Sequence, residues 1–217
     1  LEMLKAGMHF GHQKAKWHPK MQSYIYGVRQ GIHIIDLEKT SHELTRSLNF
    51  LREIVASGGK VLLVSLKDQA DVAVTEAAGR TQMPYIVGRW LGGVFTNWGV
   101  ISKLIRRMEL LEAEQQRGGW TKYSKREQLD KQRDLDELIT AVGGIRTLTK
   151  LPQVVFVVGT REGKNAIHEA NKVKVPVVAM VDTNTNPAGV DYIIPANDDA
   201  LKSIQMVMSL VSDAIME

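Results

Sequence analysis

Cysteine is missing from all 217 residues. Disulfides, thiolate zinc ligands and cysteine nucleophiles are therefore excluded, and an intracellular setting fits. No apolar run reaches the roughly 18 residues that a membrane span requires. No secretory signal is visible from Leu1, and a chain that does not begin with Met reads as trimmed. The common catalytic fingerprints are missing too. There is no G-x-G-x-x-G, no G-x-S-x-G and no H-E-x-x-H. The run from Gly159 to Asn165 resembles a phosphate loop but fails it. Its glycines are one residue too close, and Asn165 stands where Ser or Thr should hold magnesium. Internal repeats and low-complexity segments are also lacking.

What is present is an ordinary globular composition, with 44% hydrophobic and 6% aromatic residues. The length suits one large domain, or one domain plus an insertion. Net charge is +4, and it is unevenly spread. Residues 1–40 hold 6 Lys/Arg against 3 Asp/Glu, and residues 103–150 hold 11 against 8. Residues 151–217 hold 5 against 8. A basic N-terminal segment and a basic middle beside an acidic C-terminal third suggest a polyanion on one side. Solvated helix surface is the plainer alternative.

The stretch from Ile101 to Val142 organises the rest. Ile101, Leu104, Ile105, Met108 and Leu111 recur at helical spacing, as do Leu135, Leu138, Ile139 and Val142. Between them lie a turn, Arg117-Gly118-Gly119-Trp120, and a capping box, Ser124 with Glu127. The pattern predicts a charged αα-hairpin thrown out of the domain, and such an arm implies a partner.

Around it the pattern alternates strand and helix. Residues 3–33, with poor periodicity and several glycines, read as an extended arm. Ile32 to Leu37 reads as a strand. Thr40 and Glu43 then form a capping box opening a helix that stops at Gly58-Gly59. Val61–Val64 is a wholly apolar strand of the kind buried in a parallel sheet. Asp68 caps a helix to Gly79, and Pro84–Val87 is the next strand. Val154–Val158, a helix near Asn165 to Lys172, Val177–Val181 and Ile193-Ile194 follow. Asp198-Asp199 caps the last helix. This alternation predicts an α/β fold with a parallel sheet covered on both faces.

Three groups of residues invite a function. Lys14, Lys16, Lys20 and Arg29 interleave with Trp17, His18 and Tyr24, a pattern suited to RNA because cations meet phosphates and flat rings stack on bases. The aromatics could equally pin the arm to the domain. Arg89 to Trp98 places two tryptophans around a Gly-Gly turn, with Arg89 and Asn97 able to meet phosphates while Trp90 and Trp98 lock the root of the hairpin. His9-x-x-His12, with His18 or His33 as a third ligand, and the carboxylates Asp182, Asp198 and Asp199 are the candidates for a metal. Asx-turn chemistry and helix capping explain those carboxylates without one.

Several separate motifs carry a family resemblance. They are His9-Phe-Gly-His12, Trp17-x-Pro19-Lys20-Met21, and Gly31-Ile-His33-Ile-Ile35-Asp-Leu37-Glu-Lys-Thr40. Arg89-Trp-Leu-Gly-Gly93, Thr96-Asn-Trp98, Leu151-Pro152, Pro176-Val177, Asp182-Thr-Asn184 and Ile194-Pro-Ala-Asn-Asp-Asp-Ala200 continue it. With these, essentially the whole chain resembles the ribosomal protein S2 family, in its bacterial or organellar form. His18 stands where Asn is frequent, and the acidic tail of many members is missing.

The resemblance implies a flavodoxin-like parallel sheet flanked by helices, with an inserted coiled-coil hairpin. The α/β domain would cover residues 1–100 and 151–217, with a basic arm over 1–31 and the hairpin over 101–150. It implies a non-catalytic, cytoplasmic, ribosome-bound protein without a small-molecule substrate or membrane partner. Its partners would be small-subunit ribosomal RNA at the head–body junction and neighbouring proteins, including the largest small-subunit protein, which it helps dock. Phosphates would be neutralised by Lys14, Lys16, Lys20, Arg29, Lys103, Arg106 and Arg107, with His18, Arg89, Asn97 and Trp98 as further contacts. No cofactor is expected beyond a structural magnesium or zinc ion. Two other classes stay open. One is a magnesium- or nucleotide-dependent enzyme using Asp182 to Asp199. The other is a docking module whose hairpin binds helices.

Overall fold

A computed structural model describes all residues, Leu1–Glu217. A short helix α1 (Glu2–Lys5) precedes three strands, β1 (Phe10–Gln13), β2 (Ile25–Arg29) and β3 (Ile32–Ile35). Then follow α2 (Leu37–Ala56), β4 (Val61–Ser65), α3 (Asp68–Thr81) and β5 (Tyr85–Val87). Two long helices come next, α4 (Trp98–Gln116) and α5 (Lys125–Val142). The chain ends with β6 (Val154–Val158), α6 (Lys164–Lys172), β7 (Val177–Val181), β8 (Tyr192–Pro195) and α7 (Leu201–Met216).

Strands β4 to β8 form one parallel sheet in the order β5-β4-β6-β7-β8. Counted along the chain this is 2-1-3-4-5, the flavodoxin-like winding, whose order reverses between β4 and β6. The central strands are apolar throughout because both faces are covered, and their side chains sort by alternation. Leu63, Phe156 and Met180 point into a core shared with α2, α3 and α7. Leu62, Val155, Val157 and Ala179 point into a second core, shared with α4, α5 and α6. Each fully buried side chain of this size contributes about 1.5–3 kcal/mol.

The second core fixes the hairpin. Ile101, Ile105 and Met108 of α4 and Leu135, Leu138 and Val142 of α5 are buried at spacings of three and four, so one stripe of each helix faces inward. The helices run antiparallel, held side by side by Arg107 with Asp134 and by Lys131 with Glu114 at 3.0 Å. The Ser124–Glu127 capping box forms as its sequence predicts, Ser124 N–H donating to Glu127 Oε2 at 2.9 Å.

Four local expectations change. The segment 1–31 is not an extended arm. With β3 it makes an antiparallel sheet ordered β1-β3-β2, turned between β2 and β3 at Gln30-Gly31, both at positive φ. Its period is hard to read because the strands are four or five residues long and slip register at bulges. Helix α2 begins at Leu37, not Thr40. Asp36 lies upstream and caps better, accepting from Glu38 N–H at 3.1 Å and Lys39 N–H at 3.5 Å. Thr40 instead is fully buried and donates its hydroxyl to the Pro195 carbonyl at 2.6 Å. Asp68 sits in the first turn of α3 rather than capping it. Asp198 and Asp199 do not cap α7 either. Ala200 is the N-cap residue and no side chain caps the helix, while Asn197 Oδ1 accepts from Asp199 N–H and Ala200 N–H at 2.9 and 3.0 Å in the turn before it.

Candidate nucleic-acid interface

Doubly wound sheets bind ligands beyond the carboxyl ends of their strands, at the point where strand order reverses. In this chain that edge is filled by the chain itself. After β7, Asp182 is fully buried. Its Oδ1 accepts from Thr183 N–H at 2.5 Å and from the Thr183 hydroxyl at 3.0 Å, and its Oδ2 accepts from Asp198 N–H at 3.3 Å. Thr183 in turn receives the small sheet. His12 N–H donates to Thr183 Oγ1 at 2.8 Å, and His18 N–H to the Thr183 carbonyl at 2.7 Å. The approach is close enough that a Cβ on Gly11 would lie 2.6 Å from the Thr183 side chain, so glycine is required there.

The His12 ring spans two carboxylates, with Nδ1 3.1 Å from Asp182 and Nε2 3.2 Å from Asp199. The adjacent Asp182 carboxylate raises its pKa above the usual histidine value, against an opposing effect of burial. Beside it, Lys67 reaches from the end of β4 to Asp198 at 2.7 Å and Asp199 at 2.5 Å. Burial lowers the Lys67 pKa, but the two aspartates more than reverse that. Burial and neighbouring Asp182 push Asp198 up to about 6. The Lys67 stem also packs 3.5 Å from where a Gly159 side chain would begin. It therefore lies across the β4/β6 reversal, in front of the loop that resembles a phosphate loop.

Further along the same edge, the segment after β5 closes on a single carboxylate. Glu169 of α6 accepts from the Trp90 indole at 3.0 Å and from Gly93 N–H at 2.8 Å. It also accepts from Phe95 N–H at 3.1 Å, Thr96 N–H at 3.3 Å and the Thr96 hydroxyl at 3.2 Å. Burial raises the Glu169 pKa, yet these donors outweigh it and hold the carboxyl below its ordinary value. Three backbone N–H groups aimed at one anion fix the loop, and Gly93 takes a positive φ of 95° to aim them. Trp90 is buried and Trp98 half-buried on the second core, so both lock the root of the hairpin.

The candidate RNA contacts divide. Lys14, Lys16, Lys20, Arg29, Arg89, Asn97, Lys103 and Arg106 are exposed, and no carboxylate lies within 4 Å of any of these cations. Arg107 is exposed but paired with Asp134. Trp17 is half-buried, its ring 5.1 Å from that of His33. Tyr24 packs on the second core, and burial raises its pKa. His18 Nδ1 accepts from Lys20 N–H at 3.2 Å. The aromatics thus pin the small sheet in place, while the cations between them face outward.

The metal candidates also divide. His12, Asp182 and Asp199 offer ligand atoms within 4.8 Å of one another. A nitrogen and two carboxylate oxygens suit zinc or another divalent ion. Asp198 is engaged by Lys67. His9 is not part of the group. Its ring lies 4.0 Å from that of Phe10, and burial lowers its pKa. Lys67, Glu169 and Thr183 organise this edge, and sequence reasoning assigned none of them a role. A signal existed for Glu169, which shares the helical face of Ala166 and Ala170 in α6. For Lys67 the signal was its place just beyond a central strand.

No helix is long and apolar enough to cross a membrane. The profile of the family described as Ribosomal protein S2 matches residues 3–217. The small ribosomal subunit protein uS2 of Aeromonas salmonicida is 46% identical over 216 residues, covering 100% of this chain and 89% of its own length. That of Roseiflexus castenholzii is 45% identical over 215 residues, covering 99% and 82%. That of Marinobacter nauticus is 44% identical over 216 residues, covering 100% and 86%. A match of this extent, on a flavodoxin-like sheet with a helical pair inserted between its second and third strands, shows that the chain belongs to the ribosomal protein S2 family.

Proposed function

We propose that this chain is a non-catalytic component of the small ribosomal subunit that binds small-subunit ribosomal RNA at the head–body junction and helps dock the largest small-subunit protein. The observation that carries the reading is a contrast in how charge is used. At the ligand edge of the sheet, His12, Lys67, Asp182, Asp198 and Asp199 engage one another or backbone N–H groups, whereas Lys14, Lys16, Lys20 and Arg29 of the small-sheet segment point outward unpaired. Unpaired exposed cations supply the phosphate contacts of RNA binding, which recognise shape rather than base sequence. An enzyme at Asp182 to Asp199 would need groups free to meet a substrate, and those carboxylates bind His12, Lys67 and backbone N–H groups instead.

The small sheet offers a surface for a protein neighbour. Phe10, Tyr26, Val28 and Ile32 are exposed and line one groove with Leu4 and Ile34, an apolar patch of the kind that marks protein contacts. A structural zinc or magnesium ion fits between His12, Asp182 and Asp199, where it would bind the small sheet to the edge in place of the imidazole bridge.

The test is a salt series of binding to small-subunit ribosomal RNA, comparing the wild type with Lys16→Glu/Lys20→Glu. The wild type should bind with an affinity that falls steeply with salt, and the double variant should bind at least tenfold more weakly at low salt with a shallower slope, by about 2. Equal affinity of the two proteins at both ends of the series would remove the small sheet from the interface.

A further inference from the structure

The hairpin leaves the body through a segment with no regular structure of its own, residues 88–97 between β5 and α4. Backbone N–H groups in such a segment need acceptors from elsewhere. Those of Gly93, Phe95 and Thr96 share the half-buried Glu169 carboxylate with the Trp90 indole and the Thr96 hydroxyl. The path then continues into the helix. The Gly93 carbonyl accepts from Asn97 N–H at 2.7 Å, and the Asn97 carbonyl accepts from Val100 N–H at 3.0 Å and Ile101 N–H at 3.3 Å. Asn97 makes no side-chain cap, so α4 starts on backbone bonds alone. The turn has no slack, since a Cβ on Gly93 would lie 3.1 Å from Asn97 Cβ. Glu169 in turn stands on a fixed base. Ala166, Ile167 and Ala170 bury the inner face of α6, and Asn171 Nδ2 donates to the Gly189 carbonyl at 2.9 Å.

The other joint is of a different kind. Where α5 returns to the body, Gly144 lies so close to β5 that a Cβ there would collide with the Tyr85 carbonyl. Arg146 meets Glu112 at 3.1 Å and ties that joint to α4. Between the joints the hairpin rests on the second core through Ile101, Ile105, Leu138 and Val142. Apolar packing holds it close but has no direction, and packed helices slide past one another by about 1–2 Å. An arm held at one joint turns about it, and a second, directional joint stops that turn. Hydrogen bonds to an ionised carboxylate are the stronger and more geometrically specific kind. At about 1.5 Å per residue the 19 residues of α4 extend about 28 Å, so a turn of about 10° at the root carries the far end about 5 Å. A shift of that size exceeds the reach of any hydrogen bond made there.

We infer that Glu169 is a positioning residue: it fixes the direction in which the hairpin leaves the body, and through that direction it sets where the hairpin's far end meets the small ribosomal subunit. This rests on the function proposed above. The role needs no contact between Glu169 and a partner, because its oxygens are already engaged by the loop. A carboxylate that served only stability would lower the melting temperature when removed and leave the hairpin's direction unchanged. A positioning carboxylate changes the direction, and it does so beyond what an equal loss of stability elsewhere produces.

The experiment exploits the lack of cysteine. Nitroxide labels on Lys125→Cys at the far end of the hairpin and Lys202→Cys on α7, both exposed positions, report the distance between hairpin and body by pulsed dipolar spectroscopy. The labelled full chain is compared with Glu169→Ala, with Glu169→Gln, and with Leu51→Ala, which opens a cavity in the fully buried core of α2 far from the joint. The labelled wild type should give one narrow distance distribution. Glu169→Ala should widen it at least about twofold or shift it by about 5 Å, Glu169→Gln should fall between, and Leu51→Ala should melt lower yet keep the wild-type distribution. A second arm lets each unlabelled protein compete with the wild type for small subunits lacking it, where Glu169→Ala should join about tenfold less well because its hairpin is no longer pre-organised, and Leu51→Ala about equally. A wild-type distribution in Glu169→Ala overturns the inference, and so does equal broadening in Leu51→Ala. Equal joining by Glu169→Ala also overturns it, while the proposed function stands. A wild type that does not join small subunits at all overturns the proposed function, and the inference falls with it whatever the distances show.

Discussion

The carboxyl edge of the sheet and the helical hairpin are both rich in charge, and they use it in opposite ways. At the edge, His12, Lys67, Asp182, Asp198 and Glu169 are partly or fully buried, and together with the exposed Asp199 they meet one another or backbone donors. Along the hairpin and the small sheet, most cations face water with nothing to neutralise them. Buried, hydrogen-bonded charge is costly to disturb and fixes geometry, whereas exposed unpaired charge adds little to stability and is free for a partner. Doubly wound sheets commonly bind ligands at this edge, and in this chain the edge is closed by its own side chains.

The sharpest way to break that contrast is at Glu169. Replacing it with Ala strips an acceptor from three backbone N–H groups, an indole and a hydroxyl, and should cost about 3 kcal/mol in a denaturant titration. The Gln variant keeps part of the network and should fall between. A loss under about 0.5 kcal/mol in the Ala variant would mean that the Arg89–Trp98 loop holds itself. Next in size is Gly11→Val, which forces a side chain into Thr183 and should cost about 2 kcal/mol or undock the small sheet. Limited proteolysis between residues 13 and 31 reports undocking, and unchanged resistance would show that the contact yields easily.

The smallest effect is on pH dependence. The folded pKa of His12 is raised, so its contribution is full below about 6.5 and is lost as pH rises through the folded value. Asp198, raised from 3.8 to about 6, acts in the same direction over the window between those values. Burial lowers the pKa of His9 and of His33, and those two act in the opposite direction, so the effect of His12 is read as a difference: between pH 5 and pH 8 the wild type should show a more downward drift in melting temperature than His12→Gln. A steeper drift in the variant would show that His12 does not bridge the carboxylates as charged imidazolium.

Much of this was legible in the sequence, for physical reasons. Val61–Val64 and Val154–Val158 declare buried parallel strands because both faces need apolar residues. The hairpin declares itself because its helices must turn one stripe to the core and all else to water. The capping box at Ser124 is a local motif, and it formed. Long-range contacts were not legible. Asp36, four residues upstream, replaced Thr40 as the cap of α2, and α7 begins without any side-chain cap. Lys67 and Asp198 are 131 positions apart, Glu169 and Gly93 76 apart, and His12 and Thr183 171 apart. No local period encodes such pairings, so Asp182 and Asp199, which read in sequence as metal candidates or turn and capping residues, turn out to meet His12 and Lys67. The exposed lysines were legible because lysine is rarely buried.

The central claim is that outward, unpaired charge holds this protein to a ribonucleoprotein particle. The direct measurement is where it sediments from a gently lysed cell at low and at high salt. Co-migration with the small ribosomal subunit at low salt, with progressive release as salt rises, is the predicted result. A protein found only in the free soluble fraction at low salt would contradict it.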